Sequence, residues 1–465
     1  MAIDFTKAHA PLPTFSPTLN QPLLRLIQTL IPHWLRWNCG ITAVTTRHVE
    51  TLVQLQQEFN QGKTRYILAF RHPTTDDHVS LLYLMSHVLP QVARAQGCNL
   101  NSHGDFPYHG YFVYDRGIPL WAGNIVNWLF PNLGGIAIAR GKLDRPALQM
   151  IRQQIAFGSL PLMIAPEGGT NGKSELVAQL EPGVAQLALW AAEDLAKAAA
   201  LSSSAVPNLV IVPIGIQYDY GKSSWQKIDQ LLAQLESYCA ITKAPITAAN
   251  RYQRLYELGD YLIHWVDSHY QKFYPTHAPA TSDPAAPLGD RLHHLLDHIL
   301  TVAEAHFQLP ARGTIVDRCR RIEQVGWDHI FRPEFTDLSQ LSLLEKGFAD
   351  QLAAEAAQSH WHMRIAESVM SVTGNYVVSH PSPSRYAETL LLMWRALSRV
   401  QNQPFGSTPK LGARQLLLSV GQPIPVTPHL HLYQTNRATA KQVLQSLTDQ
   451  LYQSFVNLIQ PSSLV

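Results

Sequence analysis

A histidine and an aspartate five positions apart, His72 and Asp77 in the run Arg71-His72-Pro73-Thr74-Thr75-Asp76-Asp77, have the types and spacing best suited to chemistry in this chain. A carboxylate that holds one imidazole nitrogen fixes the tautomer and leaves the other nitrogen to take a proton. None of the 21 histidines forms a second H-x-x-x-x-D. The spacing by itself is a weak signal, because a surface-loop histidine with Asp77 as a plain helix-start residue satisfies it equally. Its context is more informative. The strand-like run Arg65–Phe70 precedes it and the helical pattern VSLLYLMSHVL follows. His72 therefore falls in a strand-to-helix loop and Asp77 in the first helical turn, where the helix N-terminus favours a carboxylate. No G-x-S-x-G nucleophile turn occurs. The proton would then come from a hydroxyl of the substrate, and the chemistry would be base-assisted attack by an alcohol.

The elements that must hold this pair are short buried strands alternating with helices. GGIAIAR (134–140), PLMIAPEGG (161–169) and NLVIVPIGIQYDY (208–220) read as strands ending in polar or glycine residues. Between the first two, DRPALQMIRQQIAFG has helical periodicity, with Asp144 as cap and Pro146 in the first turn. Residues 182–200 form another helical pattern. This alternation predicts an α/β layered domain with a mostly parallel sheet. From 221 to 410 the pattern is helical, with a Pro/Ala/Ser-rich linker near 275–288. Strand character returns at 415–426 and a closing helix follows. Near the start, residues 21–37 repeat apolar side chains at helical spacing, with Asn20 as cap and Pro32 expected to kink or break the helix. That segment suits either an interfacial anchor, with Trp34 and Trp37 at headgroup depth, or a helix packed on the protein's own core.

Composition narrows the class. The chain has 465 residues, 46% of them hydrophobic, with Lys+Arg 36 against Asp+Glu 34. Nothing in that balance suits a nucleic-acid partner. The charged fraction of 15% is low beside about 25% in ordinary soluble domains, which fits either contact with an apolar phase or a large core. The cysteines at 39, 98, 239 and 319 are scattered and read as reduced packing residues. No stretch reaches the length of a membrane span, so a membrane would be met at its surface. Residues 167–174 (EGGTNGKS) come near a phosphate-cradling loop, but Glu167 replaces its first glycine. His293, His294 and His298, and His360 with His362, sit on helical patterns without a ligand set for a metal.

Taken in order, RHPTTDD, GGIAIAR ending at Arg140, Ala165-Pro166-Glu167-Gly168, IVPIGI (211–216) and LSVGQPIPV (418–426) resemble the blocks of the glycerolipid acyltransferase superfamily, the lysophosphatidic acid acyltransferases among them. The resemblance implies the acyltransferase-like layered fold and O-acyl transfer from acyl-CoA or acyl-carrier protein to a glycerolipid hydroxyl. 1-Acylglycerol-3-phosphate is the acceptor it favours. It implies His72 and Asp77 as the catalytic pair and Arg140, Glu167 and Gly168 as substrate-binding residues. No metal or cofactor is expected beyond the thioester co-substrate, and the location implied is cytoplasmic and peripheral, on the inner face of a membrane. Where the family has Thr-Arg after Glu-Gly, this chain has Gly169-Thr170-Asn171. Arg140 is then the matched basic residue, with Lys142 or Lys173 as helpers. A neutral acceptor (diacylglycerol, or a long-chain or prenyl alcohol) and a non-catalytic lipid-binding protein stay open as alternatives. The organisation expected is an N-terminal amphipathic segment (1–50), the first part of the acyltransferase domain (51–220), a helical insertion (221–410), and the domain's closing strand and helix (411–465).

Overall fold

The computed structural model describes residues 3–12, 16–100, 108–241, 245–275, 283, 285–332, 334, 337–401 and 408–461. Its strands are β1 (Ile41–Arg47), β2 (Thr64–Phe70), β3 (Tyr111–Asp115), β4 (Gly135–Ile138), β5 (Leu162–Ile164), β6 (Asn208–Tyr220), β7 (Arg414–Val420) and β8 (Ile424–Pro425). They form one sheet in the order β1-β7-β6-β2-β5-β3-β4, with β8 also on β6. β6, β2, β5, β3 and β4 run parallel, whereas β7 is antiparallel to β6 and carries β1 parallel to itself. The fold is α/β with a mostly parallel sheet, the class that the alternating pattern predicts.

The central strand β2 shows why this sequence makes a two-sided sheet. Successive side chains alternate between faces. Tyr66, Leu68 and Phe70 enter a core shared with the helices Gln21–Trp37, Glu50–Asn60 and Asp77–Tyr83. Ile67 and Ala69 enter a second core with the helices Arg145–Phe157, Gly183–Ser202 and Arg437–Leu458. Each fully buried large apolar side chain contributes about 1.5–3 kcal/mol, so both layers hold β2 strongly in place. The Asp144 cap takes Ala147 N–H at 3.3 Å and the Asn20 cap takes Leu23 N–H at 3.1 Å.

Pro32 neither breaks nor ends its helix, which runs unbroken from Gln21 to Trp37. Pro32 has no N–H to give the carbonyl of Gln28 four residues back, and Gln28 is half-buried rather than sealed in the core. The helix buries Leu24, Ile31 and Leu35 and exposes a second apolar stripe of Leu26, Leu30, Trp34 and Trp37. Both expected uses of this segment therefore have a face. β1 lies within the first 50 residues and belongs to the sheet, so the sheet begins before residue 51. No helix among the described residues is long and apolar enough to cross a membrane.

Between β6 and β7 the described residues form helices and connecting turns, with two cores of their own. The linker expected near 275–288 lies largely outside the described residues. The helix Pro383–Val400 is pinned to the end of β6. Ser384 Oγ accepts from Tyr220 N–H (2.9 Å) and donates to Asp219 (2.5 Å). The helix Ile315–Ile330 packs on the loop after β4, where Gly141 lies against Gln324.

Candidate functional site

His72 and Asp77 meet just past the carboxyl end of β2, where neighbouring β5 also ends while β6 runs on to Tyr220. The Nδ1 of His72 lies 2.9 Å from Asp77 Oδ2. Because a carboxylate only accepts, Nδ1 carries the proton and Nε2 is left basic. Thr74 N–H donates to the same oxygen at 2.9 Å, and the hydroxyl of Tyr218 on β6 donates to Oδ1 at 2.6 Å. Asp77 is fully buried. Burial holds its carboxyl above the ordinary carboxylate range, and the bonds from His72, Tyr218 and Thr74 oppose that rise. Arg414 of β7 lies over the Tyr218 ring at 4.8 Å and pairs with Asp76. Tyr218 and Arg414 are thus parts of the site that the sequence reading does not single out.

A second buried network fixes the backbone of His72. Arg71 Nε donates to Glu167 Oε1 (2.8 Å), and His72 N–H donates to the same oxygen (2.9 Å). Asn171 Nδ2 and Ala178 N–H donate to Oε2 at 2.8 and 3.0 Å. The rest of the Arg71 guanidinium caps the carbonyls of Lys173, Ser174 and Leu176. Both side chains are sealed from solvent. Glu167 sits at the cavity wall, as a substrate-binding role requires, but its carboxylate is spent on four internal donors. What it does here is position His72.

Gly168 adopts φ +67°, and a side chain there would run into Glu181 and Arg320 as well as strain the backbone. Its carbonyl accepts from Arg140, which also pairs with Asp115 and lies 4.0 Å from Glu323. Arg140 therefore reaches the cavity with its charge already matched by two carboxylates. Lys142 pairs with Asp328 at 3.1 Å. Lys173 donates to the carbonyl of Ser371 and lies 4.8 Å over the Tyr376 ring, and burial brings its ammonium down to about 8. Neither lysine takes the place of the missing arginine.

His72, Arg140, Glu167 and Gly168 all line one cavity of about 1800 Å³, larger than the roughly 300–1,000 Å³ usual for small-molecule sites. One side is apolar, with Val113, Ile118, Leu120, Phe130 and Ile138, and the other side is closed by helices of the 221–410 segment. No family model matches this chain, and no curated protein matches it in sequence. The site therefore has to be judged on its geometry. Among the described residues no group of three or more His, Cys, Asp or Glu side chains is placed to hold a metal ion. His293 and His294 are exposed, whereas His298, His360 and His362 are buried and serve the packing of the helical segment. His298 Nε2 meets the Tyr274 carbonyl, His360 Nε2 meets the Glu323 carbonyl, and His362 Nδ1 meets the Tyr270 hydroxyl. Residues 168–174 are loop, and the next helix begins only at Gly183, as expected for a sequence that is not a phosphate-cradling turn.

Four imidazoles, the buried His109, His360 and His362 and the half-buried His78 of the cavity wall, set an acid limit. Desolvation lowers His78 and His360 to about 3, and His109 and His362 to about 4. The neighbours His72, Arg364 and His269 act in the same direction on His78, His360 and His362. The unfolded chain takes up these protons near pH 6.5 and the folded chain does not. Stability is then complete above about 6.5 and is lost as pH falls toward 4. Glu388 works the other way, since burial raises it to about 7 and its contribution is lost as pH rises from 4.5 through 7. With His87, also lowered by burial, five imidazoles outweigh the two raised carboxyls, Glu388 and Asp77. Melting temperature should fall steadily between pH 6.5 and 4.5, and a flat profile across that range would contradict the neutral buried histidines.

Proposed function

We propose that this chain is an O-acyltransferase of glycerolipid-acyltransferase type, moving a fatty acyl group from acyl-CoA or acyl-carrier protein to a glycerolipid hydroxyl. 1-Acylglycerol-3-phosphate is the acceptor proposed. The observation that carries the reading is the His72–Asp77 pair, its Nδ1 bonded inward and its ring on the wall of a large, half-apolar cavity. In the reaction proposed, Nε2 takes the acceptor's hydroxyl proton as the oxygen attacks the thioester carbonyl. The tetrahedral intermediate then collapses, the C–S bond breaks, and the thiolate recovers the proton from the imidazolium. Among the described residues no serine or cysteine is hydrogen-bonded to His72, and the Cys319 thiol of the same cavity is buried and pushed up by desolvation. The apolar wall suits the acyl chain, and the exposed Leu26, Leu30, Trp34 and Trp37 stripe suits docking on the inner face of a membrane.

A second reading, transfer to a neutral acceptor, is favoured by Arg140, whose charge is matched by Asp115 and Glu323. Purified protein offered acyl-CoA or acyl-carrier protein decides between them, with lysophosphatidic acid, diacylglycerol and a long-chain alcohol as acceptors. Transfer to lysophosphatidic acid supports the first reading and transfer to neutral alcohols alone supports the second. Lipid binding without transfer would replace both with a non-catalytic lipid-binding protein.

A further inference from the structure

The cavity holds more cations than Arg140, and most are already matched. Arg320 pairs with Glu181, and Arg364 pairs with Glu323 and Glu367. Arg395 differs: it lines the same cavity, is half-buried, and forms no hydrogen bond or ion pair with any described residue. Its nearest charges of opposite sign are indirect. Asp76 is the carboxylate that bears on it, and Asp76 is already bonded to Arg414, while the buried Tyr220 phenol beside it stays neutral. Arg395 is carried to the site by a rigid support. The helix Pro383–Val400 is anchored by Glu388, which accepts from Ser174 N–H (2.9 Å) and from the Tyr376 hydroxyl (2.5 Å). Leu392, one turn before Arg395, packs on Gly172 in the loop that follows Glu167. Arg399, one turn after it, also lines the cavity. Side chains three and four apart share a helix face, so the helix presents Leu392, Arg395 and Arg399 to the loop and cavity.

We propose that Arg395, with Arg399 beside it, binds the phosphate monoester of a substrate held next to His72. The helical segment between β6 and β7 thereby supplies the guanidinium that the Gly169-Thr170-Asn171 loop lacks. A planar guanidinium suits a phosphate's paired oxygens, and an arginine half-desolvated without an anion is a cost to the fold that a bound phosphate would relieve. Desolvation holds Arg395 below its ordinary pKa and brings Arg399 to about 10, with Arg364 adding to the effect on Arg399. The identity of the substrate rests on the acyl-transfer reading, whereas the phosphate site does not.

The test measures binding without turnover. Full-length protein is titrated calorimetrically with 1-hexanoylglycerol 3-phosphate, with phosphate-free 1-hexanoylglycerol, and with coenzyme A, no thioester being present. At least one phosphate monoester should bind, and Arg395→Gln should weaken it tenfold or more, with Arg395→Lys weakening it less. A loss confined to the hexanoyl probe assigns the phosphate to the acceptor, and a loss confined to coenzyme A assigns it to the donor. The Arg395→Gln protein should melt no lower than the parent, because the side chain it replaces has no internal partner. Equal affinities in parent and variant, no binding of either monoester, an equal loss for the phosphate-free probe, or a lowered melting temperature would each overturn the proposal. Absence of acyl transfer with phosphate binding intact would defeat the enzymatic reading alone.

Discussion

His72→Ala should fold as the parent does and lose acyl transfer by about 10²–10⁴-fold, the range that a positioned general base contributes. The fold should tolerate the change because the ring makes one internal hydrogen bond, to Asp77, and lines a cavity rather than a packed core. The backbone N–H of His72, which joins the Glu167 network, is kept in the variant. Two further substitutions grade the effect. Asp77→Asn presents an amide where Nδ1–H, Thr74 N–H and the Tyr218 hydroxyl all donate, so the imidazole loses the partner that fixes its tautomer. Its loss should approach that of His72→Ala. Tyr218→Phe removes one donor of several and should cost about 1.5–3 kcal/mol of the charged form's stabilisation, hence a smaller fall in kcat than either. Single-turnover rates with saturating acceptor, alongside melting curves, check the series. Parent-like turnover in folded His72→Ala protein would remove general-base catalysis from the reading, and equal rates for all three variants would separate the imidazole from the Asp77–Tyr218 arrangement.

What could be read from the sequence divides along the distance between partners. His72 and Asp77 are five residues apart, so a local pattern carries them. Tyr218 meets Asp77 across 141 residues and Arg414 meets Asp76 across 338, and no spacing rule reaches so far. β2 and β6 are legible because strands buried on both faces are nearly continuous apolar runs. β1 is not, since at the sheet's edge only Ile41 is fully buried and Thr42 and Thr45 are exposed. β3 is five residues with two tyrosines and a terminal aspartate, too short for its alternation to stand out. Pro32 misled for a physical reason, because a missing N–H is costly only where the freed carbonyl finds no other partner. The letters of Arg140 and Glu167 identify residues at the cavity wall without showing that their charges are used inside the protein.

Glu167→Ala should lower stability by about 3–5 kcal/mol, the usual result of removing one member of a buried ion pair. Set against a total of about 5–15 kcal/mol for a folded domain, that is a large fraction. The loss is structural because Arg71 stays behind, sealed from solvent, with its Nε unpaired. His72 N–H, Asn171 Nδ2 and Ala178 N–H lose their acceptor in the same step. Glu167→Gln keeps the volume but not the chemistry. Four donors converge on two oxygens, and an amide offers one acceptor and turns a donor toward the rest. It should therefore lose nearly as much. A substrate-contacting Glu167 predicts the opposite signature, a raised KM for the acceptor with an unchanged melting temperature. Urea and thermal unfolding of both variants, beside acceptor KM, separate these cases. A fall in stability with kcat reduced in the folded fraction assigns Glu167 to holding the His72 backbone, because the base then loses its support from below. Unshifted unfolding with a raised KM would return Glu167 to the acceptor and leave Arg71 compensated by a group other than this carboxylate.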